Sequence, residues 1–381
     1  MKSHVIPSEG ITSNATSSES TQSRCVPPPS SVTPFVALNG TGPHEWIGYD
    51  SHPAYAGRAT GFAGRLRSTA VFLRYFSIIL SKRAISYELI PAHVRKRGGI
   101  PFARVAFANM RRKLFGGSVV DSAKEECPIA GALSRDGICV LRLEPNMFAP
   151  IAAKASPILN DLRRMRGERT TGGRDFAESR ASALRTTSEG LFHAVESMLR
   201  DSGALAGISA YIGREARLVD VNPQINNPSD DFWARTFPDM PALERPCSYV
   251  HKDASGGDIK AMIYLSDVGE RSGPFIFAVG SHPPRRTRLA DWVEETNDQS
   301  GFSGTNPDVR ARFMSLPRLM RRKCAFGNDV RPGSEFAARI LRSEWGILAS
   351  RGHLVMFDTK GFHRGGMVTE GERAVITCVI G

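Results

Sequence analysis

Tyr249-Val250-His251-Lys252-Asp253-Ala254-Ser255-Gly256-Gly257-Asp258-Ile259-Lys260-Ala261-Met262-Ile263-Tyr264-Leu265 carries a His-x-Asp pair into a Gly-rich turn and then a strand-like apolar run. In extended backbone, residues i and i+2 share a face, so His251 and Asp253 can reach one ion while Lys252 points away. A second imidazole comes from far downstream. His363 follows Gly352-His353-Leu354-Val355-Met356-Phe357-Asp358, a run that reads as a strand whose end antiparallel pairing could bring beside the first pair. Two imidazoles and one carboxylate are the ligand set of a facial-triad non-haem iron(II) site, which leaves metal positions open for a co-substrate and for oxygen. The pair alone fits equally well a structural histidine bonded to a nearby carboxylate.

Tyr249 to His282 reads as strand, turn, strand, turn, strand, ending in Ser272-Gly273-Pro274-Phe275-Ile276-Phe277-Ala278-Val279-Gly280-Ser281-His282. Short β-branched and aromatic runs between Gly, Pro, Asn and Asp clusters predict an antiparallel, mainly β architecture with flanking helices, an α+β class. His251-x-Asp253, the Gly-Pro-apolar run into Gly280-Ser281-His282, then Phe362-His363-Arg364-Gly365-Gly366 and Gly371-Glu372-Arg373 follow in that order. Together they resemble the phytanoyl-CoA dioxygenase family, within the iron(II)- and 2-oxoglutarate-dependent oxygenases. The resemblance runs from about Cys127 to Gly381 and takes in Leu133-Ser134-Arg135-Asp136-Gly137-Ile138-Cys139-Val140-Leu141, similar to the family's opening helix-to-strand signature. It implies a double-stranded β-helix, a jelly-roll, cupin-like barrel with the metal at its mouth. His251, Asp253 and His363 are then the metal-binding, catalytic residues.

The implied partners of the protein are Fe(II), 2-oxoglutarate as co-substrate and O2. Iron(II), one aspartate and a doubly charged oxo acid leave one excess negative charge in a poorly hydrated barrel, which an arginine on the distal carboxylate would cancel. Arg373 opens Arg373-Ala374-Val375-Ile376-Thr377-Cys378-Val379-Ile380, sharing a strand face with Thr377, a candidate hydroxyl partner. Its guanidinium can grip a carboxylate through two parallel bonds. The family often places this arginine one residue further from the histidine than Arg373 stands, and Arg364 is the fallback. His282 reads as structural, His353 has no second feature to decide it, and Asn222 and Gln224 could line the pocket from the strand before His251. The chemistry the resemblance implies is oxidative decarboxylation to succinate and CO2 coupled to hydroxylation of a substrate carbon. Asp253 argues against the related halogenases, which carry a small residue there.

Residues 1–58 are rich in Ser, Thr and Pro and are expected to be a disordered tail. From 59 to 126 a basic helical region is expected. Between Gly61 and Cys127, thirteen basic residues face four acidic ones, so nine of the chain's formal +12 charges lie there. That charge suits an acidic, small or carrier-linked substrate, or peripheral contact with a membrane surface. No stacking aromatics interleave it, so nucleic acid is not expected. Residues 127–381 are expected to form the double-stranded β-helix oxygenase domain that the resemblance implies, interrupted at about 283–345 by an insertion that would serve as a lid. No apolar run reaches the roughly twenty residues of a membrane span. Six cysteines without paired spacing and the lack of a leader suit a cytoplasmic protein with free thiols. Two readings of other kinds remain: a non-catalytic metal-binding β-barrel acting as a sensor or binding module through its basic helices, and a zinc hydrolase. The second would need a general base, and no Glu neighbours the motif.

Overall fold

The computed structural model describes residues 3–5, 25–35, 62–84, 99–115, 127–167, 180–182, 189–228, 250, 252–253, 259–282, 335–366 and 368–381. His251 and residues 283–334, most of the expected insertion, lie outside this set. The chain divides into two compact units. One comprises Met1–Ala37, Ser122–Pro284 and Pro332–Gly381, and the other Leu38–Asp121 and Arg285–Arg331.

The first unit holds two sheets and the helices that cover the larger one. β11 (Arg373–Ile380) shows why. Its Ala374, Ile376, Cys378 and Ile380 alternate with Arg373, Val375, Thr377 and Val379, so one face is apolar and the other mixed. It lies between β5 (Leu218–Asn226) and β6 (Ile259–Tyr264), antiparallel to both. β9 (His353–Asp358), β3 (Ile138–Arg142) and β2 (Cys25–Val26) continue the sheet on one side, and β4 (Arg180–Ser182) closes the other. The smaller sheet runs β1 (Ser3–Val5), β8 (Glu344–Leu348), β7 (Phe275–Ala278), β10 (His363–Gly365). All of its pairs are antiparallel except β1 with β8.

Two cores result. Ile376, Cys378, Met356 and Ala261 pack against α3 (Pro128–Asp136), α4 (Pro145–Gly167), α5 (Glu189–Asp201) and α6 (Ala204–Ile212), represented by Leu133, Ile151, Val195 and Ile208. The opposite face of the large sheet meets the small one. There Val140, Tyr264, Val355 and Phe357 pack with Phe275, Phe277, Trp345 and Ile347. Fully burying side chains of this size contributes roughly 1.5–3 kcal/mol each, so this inter-sheet core holds the sheets together. The α+β expectation is met. α3 ends at Gly137, whose φ of 77° and N–H bond to Leu133 O form a left-handed cap that turns the chain straight into β3.

Two parts of the expected tail are in sheets: Ser3–Val5, and Cys25–Val26, which pairs with Leu141 and Val140. Val26 and Val32 reach the inter-sheet core, apolar content that the surrounding Pro and Ser obscure. At the far end of the expected insertion, Glu335–Ser343 is helix α7 and Trp345 already belongs to β8.

In the second unit, α1 (Phe62–Ala84) and α2 (Gly99–Phe115) pack on each other. Phe72 is fully buried and stacks on Phe76, whereas Leu66, Leu73, Ile100 and Phe107 are exposed, as are Arg67 and Arg74. No helix among the described residues is long and apolar enough to cross a membrane.

Candidate metal centre

The chain passes from the large sheet to the small one through the turn after β9, and the candidate site is built there. Asp358, the last residue of β9, is buried and satisfied. Its Oδ1 accepts from Lys360 N at 2.7 Å and its Oδ2 from Tyr211 Oη at 2.6 Å. That fixes the turn Thr359-Lys360-Gly361. A Cβ on Gly361 would run into the Phe277 ring, so the turn needs glycine to lie this close to the inter-sheet core.

Asp253 docks on this turn from a remote segment. Its N–H donates to Thr359 O at 2.8 Å, and its own carbonyl accepts from Lys360 Nζ at 2.9 Å. The carboxylate is thereby aimed at β10, where Asp253 Oδ2 lies 3.4 Å from His363 Nε2. His363 Nδ1 is 2.9 Å from Gly361 O. A carbonyl only accepts, so Nδ1 carries the hydrogen and the Nε2 position is directed at the carboxylate. With Nδ1–H donated, the Nε2 lone pair and the carboxylate oxygen converge, a pairing that a cation held between them would stabilise. The His363 ring is 4 % exposed, with ring centroids 4.9 Å from Phe357 and 5.7 Å from Phe275, so its orientation is held by packing as well as by the hydrogen bond.

Lys260 is the residue that sequence reasoning missed. It stands on β6 with Nζ 2.8 Å from Asp253 Oδ2. The alternation Lys260, Met262, Tyr264 against Ile259, Ala261, Ile263 puts a lysine on the inter-sheet face, and that pattern was the available signal.

Arg373 begins β11 on that same inter-sheet face. Its Nη1 donates to Gly273 O, and its Nη2 would lie 3.9 Å from a Cβ on Gly365. Gly365 is two residues past His363 on β10 and therefore on the same face, about 6.6 Å along the strand. Tyr264 is buried nearby. Burial pushes its phenol pKa up, and the Arg373 charge pulls it back. Thr377 is two inward positions further along β11 and accepts from Gln224 Nε2 at 2.9 Å. Asn222 and Asn226 face Thr377 and Arg373 across the β5–β11 pairing.

The other candidates are placed elsewhere. Arg364 is on the outer face of β10, opposite Ile276, in a 2.7 Å ion pair with Glu344 in which both side chains are 4 % exposed. His282 Nε2 is 3.1 Å from Ser134 O, against the end of α3. His353 Nδ1 is 2.8 Å from Ser350 O. His251 lies outside the described residues. Of its neighbours, Val250 is buried and Lys252 Nζ lies 4.8 Å over the Phe362 ring.

No protein-family model matches the chain, and no curated protein matches it. Among solved structures, it is similar to AviO1 from Streptomyces viridochromogenes Tue57, at 15% identity and a TM-score of 0.37 over 68% of this chain and 95% of that one. The epimerase SnoN, in complex with Fe3+, alpha ketoglutarate and nogalamycin RO, gives 15% and 0.39 over 68% and 83%. HygX from Streptomyces hygroscopicus, with nickel, 2-oxoglutarate and hygromycin B bound, gives 12% and 0.34 over 69% and 87%. Likeness of this order assigns the chain no chemistry.

Proposed function

We propose that the chain is an iron(II)- and 2-oxoglutarate-dependent dioxygenase of the phytanoyl-CoA dioxygenase type, its two sheets forming a double-stranded β-helix around the site. The observation that carries this reading is the meeting of Asp253 Oδ2 and His363 Nε2 at 3.4 Å, with the far ring nitrogen tied back to Gly361 O. Metal-ligating histidines characteristically donate their other N–H in this way. The donor set, one carboxylate and one imidazole with His251 as the third ligand, suits iron(II).

When bound, the ion and the oxo acid supply an oxidising centre fed by O2, the oxo acid leaving as succinate and CO2. The chain's own residues do the rest. Asp253 and His363 hold the ion, and the Thr359–Gly361 turn holds them. Phe275 and Phe357 exclude water from the His363 side. Arg373 takes the distal carboxylate and cancels the excess charge that the ion, Asp253 and the oxo acid leave. Lys260, whose ammonium contacts Asp253 Oδ2, would compete with an ion for that oxygen and, where an ion is held, would be left to meet an acidic substrate. The outcome is hydroxylation of an unactivated carbon in a small or carrier-linked molecule.

One observation favours a second reading. The Lys260 ammonium already neutralises Asp253, as a metal-free binding module would require. Anaerobic cobalt(II) titration followed by visible absorption, and succinate formation with iron(II), ascorbate and 2-oxoglutarate, separate the two. The oxygenase reading expects one cobalt bound per chain, lost in Asp253→Ala, and succinate released. Cobalt binding no better than that of Asp253→Ala would sink it and leave the metal-free module, whereas metal bound without succinate across a substrate screen would leave a non-catalytic metal-binding barrel.

A further inference from the structure

Three of the chain's thiols gather where β2, β3 and the start of α3 meet. Cys25 on β2 and Cys139 on β3 stand with their sulfur atoms 2.8 Å apart, although 114 residues separate them in sequence. A disulfide needs about 2.05 Å between sulfurs, so a closing movement of about 0.8 Å makes the bond. The two differ in access: Cys139 is 1 % exposed and Cys25 is half-buried. They also differ in acidity. The hydrogen bond from Cys139, helped by the charge of Arg135, holds the Cys25 thiol below its usual value. The same contact and burial hold Cys139 far above its own. Of the two sulfurs, Cys25 is the more accessible and the more readily ionised, with Cys139 buried behind it.

We propose that Cys25 and Cys139 are a reversible redox pair that takes a hydroperoxide as its oxidant. The Cys25 thiolate attacks the peroxide, forming a sulfenic acid and, with one proton, releasing water from hydrogen peroxide. The Cys139 thiol then displaces the second water, and the two sulfurs join. Two thiols are oxidised and one peroxide is reduced to two waters.

The bond would pin a strap. From Cys25 the chain runs to Phe35, held otherwise by the two-residue β2–β3 pairing and by bonds from Thr33 N to Arg342 O at 3.2 Å and Phe35 N to Val279 O at 2.7 Å. The Phe35 ring meets Phe362 edge-on, with centroids 6.0 Å apart, and Phe362 is the residue before His363. Oxidation therefore fastens a segment that braces the strand carrying a candidate ligand. The cross-link itself stands whether or not a metal binds.

The test uses the full chain, reduced, freed of metal with a chelator and treated with a few equivalents of hydrogen peroxide, then alkylated and mapped by peptide mass spectrometry. Alkylation of Cys25 and Cys139 should fall together by about tenfold or more, with a linked Cys25–Cys139 species that dithiothreitol reverses. In Cys25→Ser, Cys139 should stay reduced under the same treatment. Amide exchange over residues 27–35 should slow in oxidised wild-type protein. The proposal is overturned if Cys25 ends as a sulfinic acid with Cys139 still alkylated, if Cys139 links to Cys127 instead, if Cys139 oxidises equally in Cys25→Ser, or if exchange in the strap is the same in both states.

Discussion

His353 and His363 open consecutive strands and share their local structure. Each is 4 % exposed, and each sets Nδ1 against a backbone carbonyl close behind it in sequence, Ser350 O at 2.8 Å and Gly361 O at 2.9 Å. What differs is the far side of the ring. His363 Nε2 meets a carboxylate brought in from a remote segment, and two phenylalanine rings hold its plane. His353 faces Arg142 across the β3–β9 pairing and feels the charges of Arg142 and Asp267. A histidine's anchoring therefore says nothing about its role; the group the fold places opposite Nε2 decides it.

The largest effect should come from breaking that difference directly. His363→Ala removes a proposed ligand and should weaken cobalt(II) binding by more than about a hundredfold, beyond the 10- to 100-fold typical of residues that touch a ligand only indirectly. His353→Ala should leave binding within about twofold, since His353 opens β9 and the site is built on the turn after Asp358 at that strand's other end. Parallel titrations, with circular dichroism to confirm that both variants fold, decide it. Equal losses would erase the distinction between the two histidines.

Two smaller effects sharpen it. Arg373→Lys keeps the charge but loses the paired hydrogen bonds, and should weaken 2-oxoglutarate binding by about ten- to a hundredfold while cobalt binding holds. Calorimetry on the cobalt-loaded protein reads both. Lys260→Met removes the ammonium that competes for Asp253 Oδ2 and, as a partly exposed pair, should tighten cobalt binding by only about two- to fivefold. Weaker binding in that variant would mean that Lys260 organises the carboxylate rather than guarding it.

These residues differ in how readable they were. The alternation that put Arg373 and Thr377 on one face of β11 is a period-2 pattern, and the structure shows that face. The strands at Ile259–Tyr264 and His353–Asp358 and the helix-to-strand step at Gly137 were legible for the same reason, because local pattern and turn chemistry set them. Arg364 and Arg373 could not be ranked from spacing. Only the pairing of Arg364 with Ile276 puts it on the outer face, where Glu344 takes its charge. Lys260 was hidden inside a run read as apolar. Cys25 and Cys139 had no sequence spacing to link them; strand pairing across 114 residues makes them neighbours, and no local rule carries that information.

The smallest effect concerns pH and again separates the two histidines. Burial, with the charge of Arg142 adding to it, lowers the His353 pKa from the usual 6.5, against the opposing pull of the Ser350 carbonyl and Asp267. A base whose folded pKa lies below its unfolded value takes up its proton more readily in the unfolded chain. Its contribution to stability is then complete above pH 6.5 and is lost as the pH falls below that value toward the folded pKa. Denaturant midpoints on either side of that pH should show wild-type protein losing stability on the acid side more steeply than His353→Asn, which cannot titrate there. The difference between the two proteins isolates this one group from the carboxylates that titrate lower. If the slopes coincide, His353 is not held neutral by its surroundings, and the burial it shares with His363 has no consequence for its charge.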